Sequence, residues 1–182
     1  AQAYCNTIIG IQETKVVEDE IQEHRVAAAA KGWQLFMEPA FKSAKPTAGV
    51  GLLAPIGIAI APLETKYLGI KVPRSPRTGM WSIQAAFPAG FIAVVLYLRD
   101  TEGFSKANLD HLQEVATFLR SLAKAYVIMA DWNIDFDDMK TSMIPDLLDA
   151  CFVATSVPTC TSKISDGVYT YRTYDYFALS KH

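Results

Sequence analysis

No stretch of the sequence stays apolar for the roughly 18 to 20 residues that a membrane-spanning helix needs, so no such span is expected. The cysteines, Cys5, Cys151 and Cys160, are odd in number and form no C-x-x-C pair. That argues against a zinc site and for a reducing, intracellular setting, the nucleus included. Small buried hydrophobes are the simpler reading of all three. The amino-terminal AQAYCNTIIG has neither an initiator Met nor a basic n-region. No signal peptide is therefore expected, and the chain reads as a fragment or a processed product. Internal repeats, low-complexity tracts and interdomain linkers are also lacking, which leaves one domain over residues 1–182. Histidine is scarce: His24, His111 and His182 are all there is.

What is present is core. About half of the residues are apolar (51%), enough to bury a sizeable interior. The net charge of −2 says little, but its distribution says more. Between Thr65 and Arg99 the charged residues are all basic: Lys66, Lys71, Arg74, Arg77 and Arg99. Between Asp131 and Asp149 stand Asp131, Asp135, Asp137, Asp138, Asp146 and Asp149, against a single base, Lys140. A basic and an acidic segment in one small fold suit a polyanion together with a cation, although ordinary solvated loops carry such charges too.

Patterning predicts mixed strands and helices. TIIGIQ (7–12), WQLFM (33–37), AGVGLLA (48–54) and IGIAIA (56–61) read as strands, with Pro55 breaking the last two apart. Gly49 and Gly51 suggest a close backbone approach or a bulge. WSIQAAF (81–87) and FIAVVLYL (91–98) read as a hairpin across Pro88, Ala89 and Gly90. YVIMA (126–130) reads as a buried strand, and the tail holds FVATSV (152–157), a polar loop and YDYFALS (174–180) as a final strand. One helix runs from the acids Glu18, Asp19 and Glu20 to Lys31 and Gly32. A second is capped by Ser105 and carries Leu109, Leu112, Val115, Ala116, Leu119, Leu122 and Ala123 as an apolar stripe. A short third helix, capped by Asp137, is expected to carry Met143, Leu147 and Leu148. Strands in adjacent pairs exclude a simple doubly wound sheet. The expected class is α/β (α+β): two packed mixed sheets flanked by helices.

Polar groups gather at strand ends: Gln12, Glu13 and Thr14 after the first, Tyr97 and Arg99 near the end of FIAVVLYL, Asp131 and Asn133 after YVIMA, and Asp175 in YDYFALS. A carboxylate at the lip of an apolar strand is costly unless paired, hydrogen-bonded or bound to metal. Several on separate strands suggest convergence on one site. Asp131 and Asn133 stand two apart, so a persisting strand would point both to one face and Trp132 to the other.

IQET (11–14), the LYL strand (96–98), ADWN (130–133) and YDYFALS occur in that order. Together they resemble the endonuclease/exonuclease/phosphatase superfamily, the metal-dependent phosphoesterases of the DNase I and apurinic-endonuclease type. The variant forms ADWN and TYDYF look most like the endonuclease domains of LINE-type retroelements or divergent protist members. The resemblance implies a four-layer DNase I-like sandwich and Mg²⁺-dependent (or Mn²⁺-dependent) phosphodiester hydrolysis on DNA or RNA. It implies Glu13 as the metal ligand and Asp131 as the group that orients or deprotonates the attacking water. It further implies Asn133 and Tyr97 as phosphate contacts and Asp175 as the carboxylate that orients a catalytic histidine. Each residue also has a plainer reading. Glu13 suits a helix dipole, Asp131 and Asn133 an Asx turn, Tyr97 core packing, and Asp175 a cap or turn.

Two elements of the family pattern are missing: an early strand with an asparagine, and a closing strand ending in Ser-Asp-His. The sandwich is thus expected to be incomplete and truncated at both ends, its activity impaired and sheet edges exposed. His24 and His111 read as surface residues on helices, and His182 stands too close to the YDYF strand to be the motif histidine. The basic loop residues Lys71, Arg74 and Arg77 are expected to grip phosphates. A phosphatase of small or lipid phosphoesters and a non-catalytic remnant are the alternative readings.

Overall fold

The computed structural model describes residues 7–64, 66, 67, 69–85 and 88–181. Cys5, His182, and the Ala86 and Phe87 of the expected WSIQAAF strand fall outside them. In chain order the strands are β1 (Ile9–Ile11), β2 (Trp33–Glu38), β3 (Val50–Pro55), β4 (Ala59–Pro62), β5 (Lys66–Tyr67), β6 (Ile70–Lys71), β7 (Thr78–Gln84), β8 (Phe91–Tyr97), β9 (Tyr126–Asp131), β10 (Ala150–Val153), β11 (Cys160–Ser165), β12 (Val168–Arg172) and β13 (Asp175–Ser180). The helices are α1 (Ile21–Ala29), α2 (Lys106–Ser121), α3 (Phe136–Thr141) and α4 (Ile144–Leu148). Glu18–Glu20 form a 3₁₀ turn that leads into α1.

Two sheets carry the architecture. The larger has six strands in the order β10-β13-β9-β8-β7-β4; the smaller is β1-β3-β2. All pairings are antiparallel except β8–β9, whose parallel register requires the crossover that α2 supplies. β5–β6 and β11–β12 are separate hairpins. Among the described residues β1 pairs with β3 alone.

The sheets are held apart by alternation. On one face of the large sheet Val94, Leu96, Ile128 and Ala130 pack with Leu112, Val115, Ala116 and Leu119 of α2. The helix starts where the sequence places it, with Ser105 Oγ accepting from the Asn108 backbone N–H at 3.3 Å. On the other face Trp81, Ile83, Ala93, Val95 and Met129 meet Val50 and Leu52 of the small sheet. This is the expected packed pair of sheets with helices outside, although α1 is thin cover: Ile21 is its one buried residue.

Glycine decides how closely the sheets approach. A Cβ at Gly10 would stand 2.9 Å from the Met129 Cβ and 3.2 Å from a Val95 methyl, so β1 reaches β8 and β9 only as a bare backbone. Gln12 Nε2 then donates to the Met129 carbonyl at 3.0 Å. Gly49, at φ +87°, lies against Thr14, where a Cβ would meet Oγ1 at 2.3 Å. Its carbonyl accepts from Thr14 N–H at 3.0 Å, and that of Ala48 from Lys15 N–H at 2.9 Å. The close approach expected of Gly49 is therefore met.

Three local expectations change. The strand read over 56–61 begins only at Ala59, because Gly57 turns at φ +109°. The helix of the acidic segment is two helices, α3 and α4, and Asp135, not Asp137, caps the first by accepting from Asp137 N–H at 3.2 Å. Met143 sits between them, 73% exposed, rather than in the core.

The indole of Trp81 lies over Gly79, where an added Cβ would fall 2.0 Å from the ring. Trp81 is fully buried and rigidly packed, so Gly79→Ala is expected to cost about 1–3 kcal/mol by overpacking. An unchanged urea midpoint would contradict this packing.

Candidate active site

The end of the large sheet brings three of the predicted residues into one row. Tyr97 pairs with Asp131 across the parallel β8–β9 ladder, and Asp175 pairs with Asp131 across the antiparallel β9–β13 ladder. By strand parity all three belong to the face that carries Val95 and Met129, toward the small sheet. Glu13 arrives from that sheet. It follows Gln12 at φ +51°, a left-handed conformation uncommon outside glycine, and Lys15 at φ +57° repeats it. Glu13 is half exposed, with the Lys15 ammonium 3.3 Å from its Oε1.

The electrostatics of the row are those of crowded carboxylates. Burial pushes the Asp131 carboxyl up to about 6, the Asp175 charge adds to this, the Asn133 N–H opposes it, and Asp100 and Glu13 push it further. The Tyr97 hydroxyl is raised by burial and then by Glu13 and Asp131, while Arg77 pulls it back. The Glu13 charge thus acts on both Asp131 and Tyr97.

Asn133 does not reach the site as the spacing predicts. β9 ends at Asp131, and Asn133 turns at φ +50°. Its N–H donates to Asp131 Oδ1 at 3.1 Å, an Asx turn, and its Nδ2 donates to the Leu98 carbonyl at 2.9 Å. The amide is placed by this turn, not by strand alternation. Trp132 does pack on the far side as expected: it is fully buried, donates Nε1–H to the Tyr176 carbonyl at 3.0 Å and stacks on the Tyr176 ring.

Asp175 is exposed, and its N–H donates to Thr159 Oγ1 at 3.1 Å. Among the described residues its neighbour in register is the Asp131 carboxylate rather than an imidazole. His24 is exposed on α1. His111 is not the surface residue expected: Thr78 Oγ1 lies 2.6 Å from its Nε2, and burial lowers its proton affinity. The basic loop also divides. Arg74 Nε and Nη2 both donate to Glu38 Oε1, at 2.8 Å and 2.5 Å, which removes Arg74 from phosphate binding. Lys71 faces Glu114 at 3.8 Å. Arg77 alone turns to the site, its guanidinium 4.9 Å above the Tyr97 ring.

Sequence reasoning missed Asp100 and the position of His111. Asn108 and His111 stand three apart on the inward stripe of α2, and polar residues on an apolar stripe are the available signal.

Two cavities flank the row. One of about 300 Å³ is lined by Gly10, Gln12, Met129, Thr159, Asp175 and Phe177, among others. The other, of about 160 Å³, lies on the α2 side of Tyr97. Carboxylate oxygens are the donors that a hard divalent cation takes. Among the described residues no three His, Cys, Asp or Glu side chains close a complete cage. A cation held by one or two carboxylates and its own waters fits this donor set.

No protein-family model and no curated protein matches the sequence. Solved structures do. The endonuclease domain of TRAS1, a telomere-specific non-LTR retrotransposon, superposes with TM-score 0.60 at 12% identity, over 94% of this chain and 85% of that one. ANGEL2, a 2',3'-cyclic phosphatase, superposes with TM-score 0.67 at 12% identity, over 96% and 69%. A mannosyl-6-phosphatase from Bacteroides thetaiotaomicron VPI-5482 gives 0.53 at 12% identity, over 96% and 71%. The chain has the DNase I-like fold of endonuclease/exonuclease/phosphatase proteins, as its motifs predict.

Folded Asp131, at about 6, holds its proton more tightly than the unfolded chain does at 3.8. Stability therefore falls as pH rises through that window. Asp131→Asn, which keeps the Oδ1 acceptor, removes the penalty. In EDTA it is expected to gain about 1–2 kcal/mol over the parent at about pH 8, discounted for solvent screening, and nothing near pH 3.5. Urea unfolding at both pH values, with an NMR titration of the carboxyl, checks this; an ordinary carboxylate midpoint would refute it.

Proposed function

We propose that this chain is built for Mg²⁺-dependent hydrolysis of a phosphodiester, with a nucleic acid as substrate and endonuclease cleavage as the reaction. The observation that carries the reading is Asp131, caught between Tyr97 and Asp175 and raised to about 6. A carboxylate with that proton affinity is ionised near neutrality and still basic enough to take a proton from water. Support for a nucleic acid comes from the likeness to a retrotransposon endonuclease domain over 94% of the chain.

Each residue then has a task. Glu13 would hold Mg²⁺ (or Mn²⁺), which when bound neutralises charge on the phosphate and on the leaving oxygen. Asp131 orients the attacking water and accepts its proton as the water oxygen bonds to phosphorus. The far P–O bond breaks and solvent protonates the leaving oxygen. Tyr97, kept protonated by burial and by its acidic neighbours, donates to a phosphate oxygen. Asn133 spends one Nδ2 hydrogen on Leu98 and has the second for the phosphate. The Asp175 charge keeps Asp131 basic. Positioning and fixed charge lower the barrier, with no covalent intermediate.

Two measurements test the assignment. Mg²⁺ added to the metal-free protein is expected to raise its Tm, and Glu13→Gln to abolish that rise. Mg²⁺-dependent nicking of plasmid DNA, or cleavage of RNA, is expected to fall by about 10²–10⁴-fold in Glu13→Gln and in Asp131→Asn. A Tm rise that survives Glu13→Gln, or unchanged turnover in either variant, refutes the site. Cleavage of small phosphomonoesters in preference to polynucleotides would favour a phosphatase.

A further inference from the structure

The cavity on the α2 side of Tyr97 is lined by Ser75, Arg77, Tyr97, Arg99, Asn108 and His111, among others. No carboxylate lines it among the described residues. Its volume of about 160 Å³ would hold roughly five waters at ~30 Å³ each, which is room for a phosphate group with some of its hydration.

One lining residue stands out. Arg77 Nη1 is buried and has no hydrogen-bond partner among the described residues. A buried guanidinium N–H without an acceptor costs free energy that a native fold rarely tolerates unless the group serves a ligand. The stack on Tyr97 fixes the plane of the guanidinium, and a fixed fork of donors matches a tetrahedral oxyanion. The neighbours are donors or are already turned to the same use. Ser75 Oγ accepts from Arg77 N–H at 3.1 Å, which leaves the hydroxyl hydrogen to donate. Arg99 makes only a long contact with Glu102, 3.7 Å, and stays half exposed. Asn108 is spoken for: it accepts from Arg99 N–H and donates to the Arg99 and Gly103 carbonyls, so it shapes the wall.

His111 closes the far side. The Thr78 hydroxyl holds its ring through Nε2. Burial keeps the ring neutral, Arg77 and Arg99 reinforce that, and Glu114 opposes it. An anion beside it would reverse the balance and draw a proton onto the ring.

We infer that this cavity binds a second, non-scissile phosphate of the substrate chain, one linkage from the phosphate hydrolysed at Asp131. The inference rests on the hydrolase reading and deepens it: a protein that takes one phosphate at Asp131 and a second in the cavity lined by Arg77 and Tyr97 selects a polyphosphodiester over a small monoester.

Inorganic phosphate titrated into the metal-free protein is the first probe, with the His111 ring signals in NMR as readout. Phosphate is expected to shift them saturably. Arg77→Gln is expected to weaken the effect about tenfold or more, the loss of a charge-assisted hydrogen bond. Arg77→Lys keeps the charge without the fork and is expected to fall between, which guards against misfolding as the cause. Asp131→Asn is expected to leave the shift unaltered. The second arm uses phosphorothioate-linked oligonucleotides. A trinucleotide, with two linkages, is expected to bind about tenfold more tightly than a dinucleotide, and Arg77→Gln to erase the difference. No His111 shift, or one that Arg77→Gln leaves intact, overturns the site. A trinucleotide without advantage overturns its assignment to a flanking phosphate. A persistent shift in a protein that cleaves nothing sustains the anion site while the hydrolase reading fails.

Discussion

The structure turns on how closely β1 lies against the large sheet. Gly10 presents no side chain to Met129 and Val95, and Gln12 closes the gap by donating to the Met129 carbonyl. A residue later the chain is at Glu13, already beside the ends of β8 and β9. Thr14 and Lys15 then lock to Gly49 and Ala48, so the left-handed turn at Glu13 is held from both sides. Strain at a single backbone position persists only where its surroundings over-determine it, and here they do. The apolar contact between sheets and the placement of one exposed carboxylate are therefore one event.

Charges of both signs meet at Tyr97. Burial first, and then the charges of Asp175, Asp100 and Glu13, raise the Asp131 carboxyl to about 6 against the opposing Asn133 N–H. Over the Tyr97 ring stands Arg77, with Arg99 and His111 beyond. Tyr97 thus neighbours both signs, with Asp131 beside it across the ladder and the Arg77 guanidinium over its ring.

Much of this was legible in the sequence because strand ends obey simple rules. An apolar run that halts on a carboxylate marks both a buried strand and its mouth. The ends of β8 and β9 and the start of β13 fall side by side and bring Tyr97, Asp131 and Asp175 together. The readings that failed depend on long-range partners that local patterning cannot supply. Arg74 looked as free as Arg77 until Glu38, far off in sequence, took it. His111 looked exposed because helix periodicity says which face a residue occupies, not that Thr78 waits opposite it. Asn133 followed the alternation of a strand that had already ended.

The Asx turn and the proposed catalytic role of Asp131–Asn133 began as rival readings, yet the geometry joins them. By donating to Asp131 Oδ1, the Asn133 N–H lowers the proton affinity that burial and Asp175 raise. Without that bond the carboxyl would sit higher still and spend more time protonated near neutrality, useless as a base. The turn also carries the Asn133 amide to Leu98, the residue that follows the end of β8 and Tyr97. A turn that merely ended a strand would need neither the buried carboxylate nor the cross-strand amide. This one lowers the proton affinity of Asp131 and ties the end of its strand to the neighbouring one within the three residues from Asp131 to Asn133.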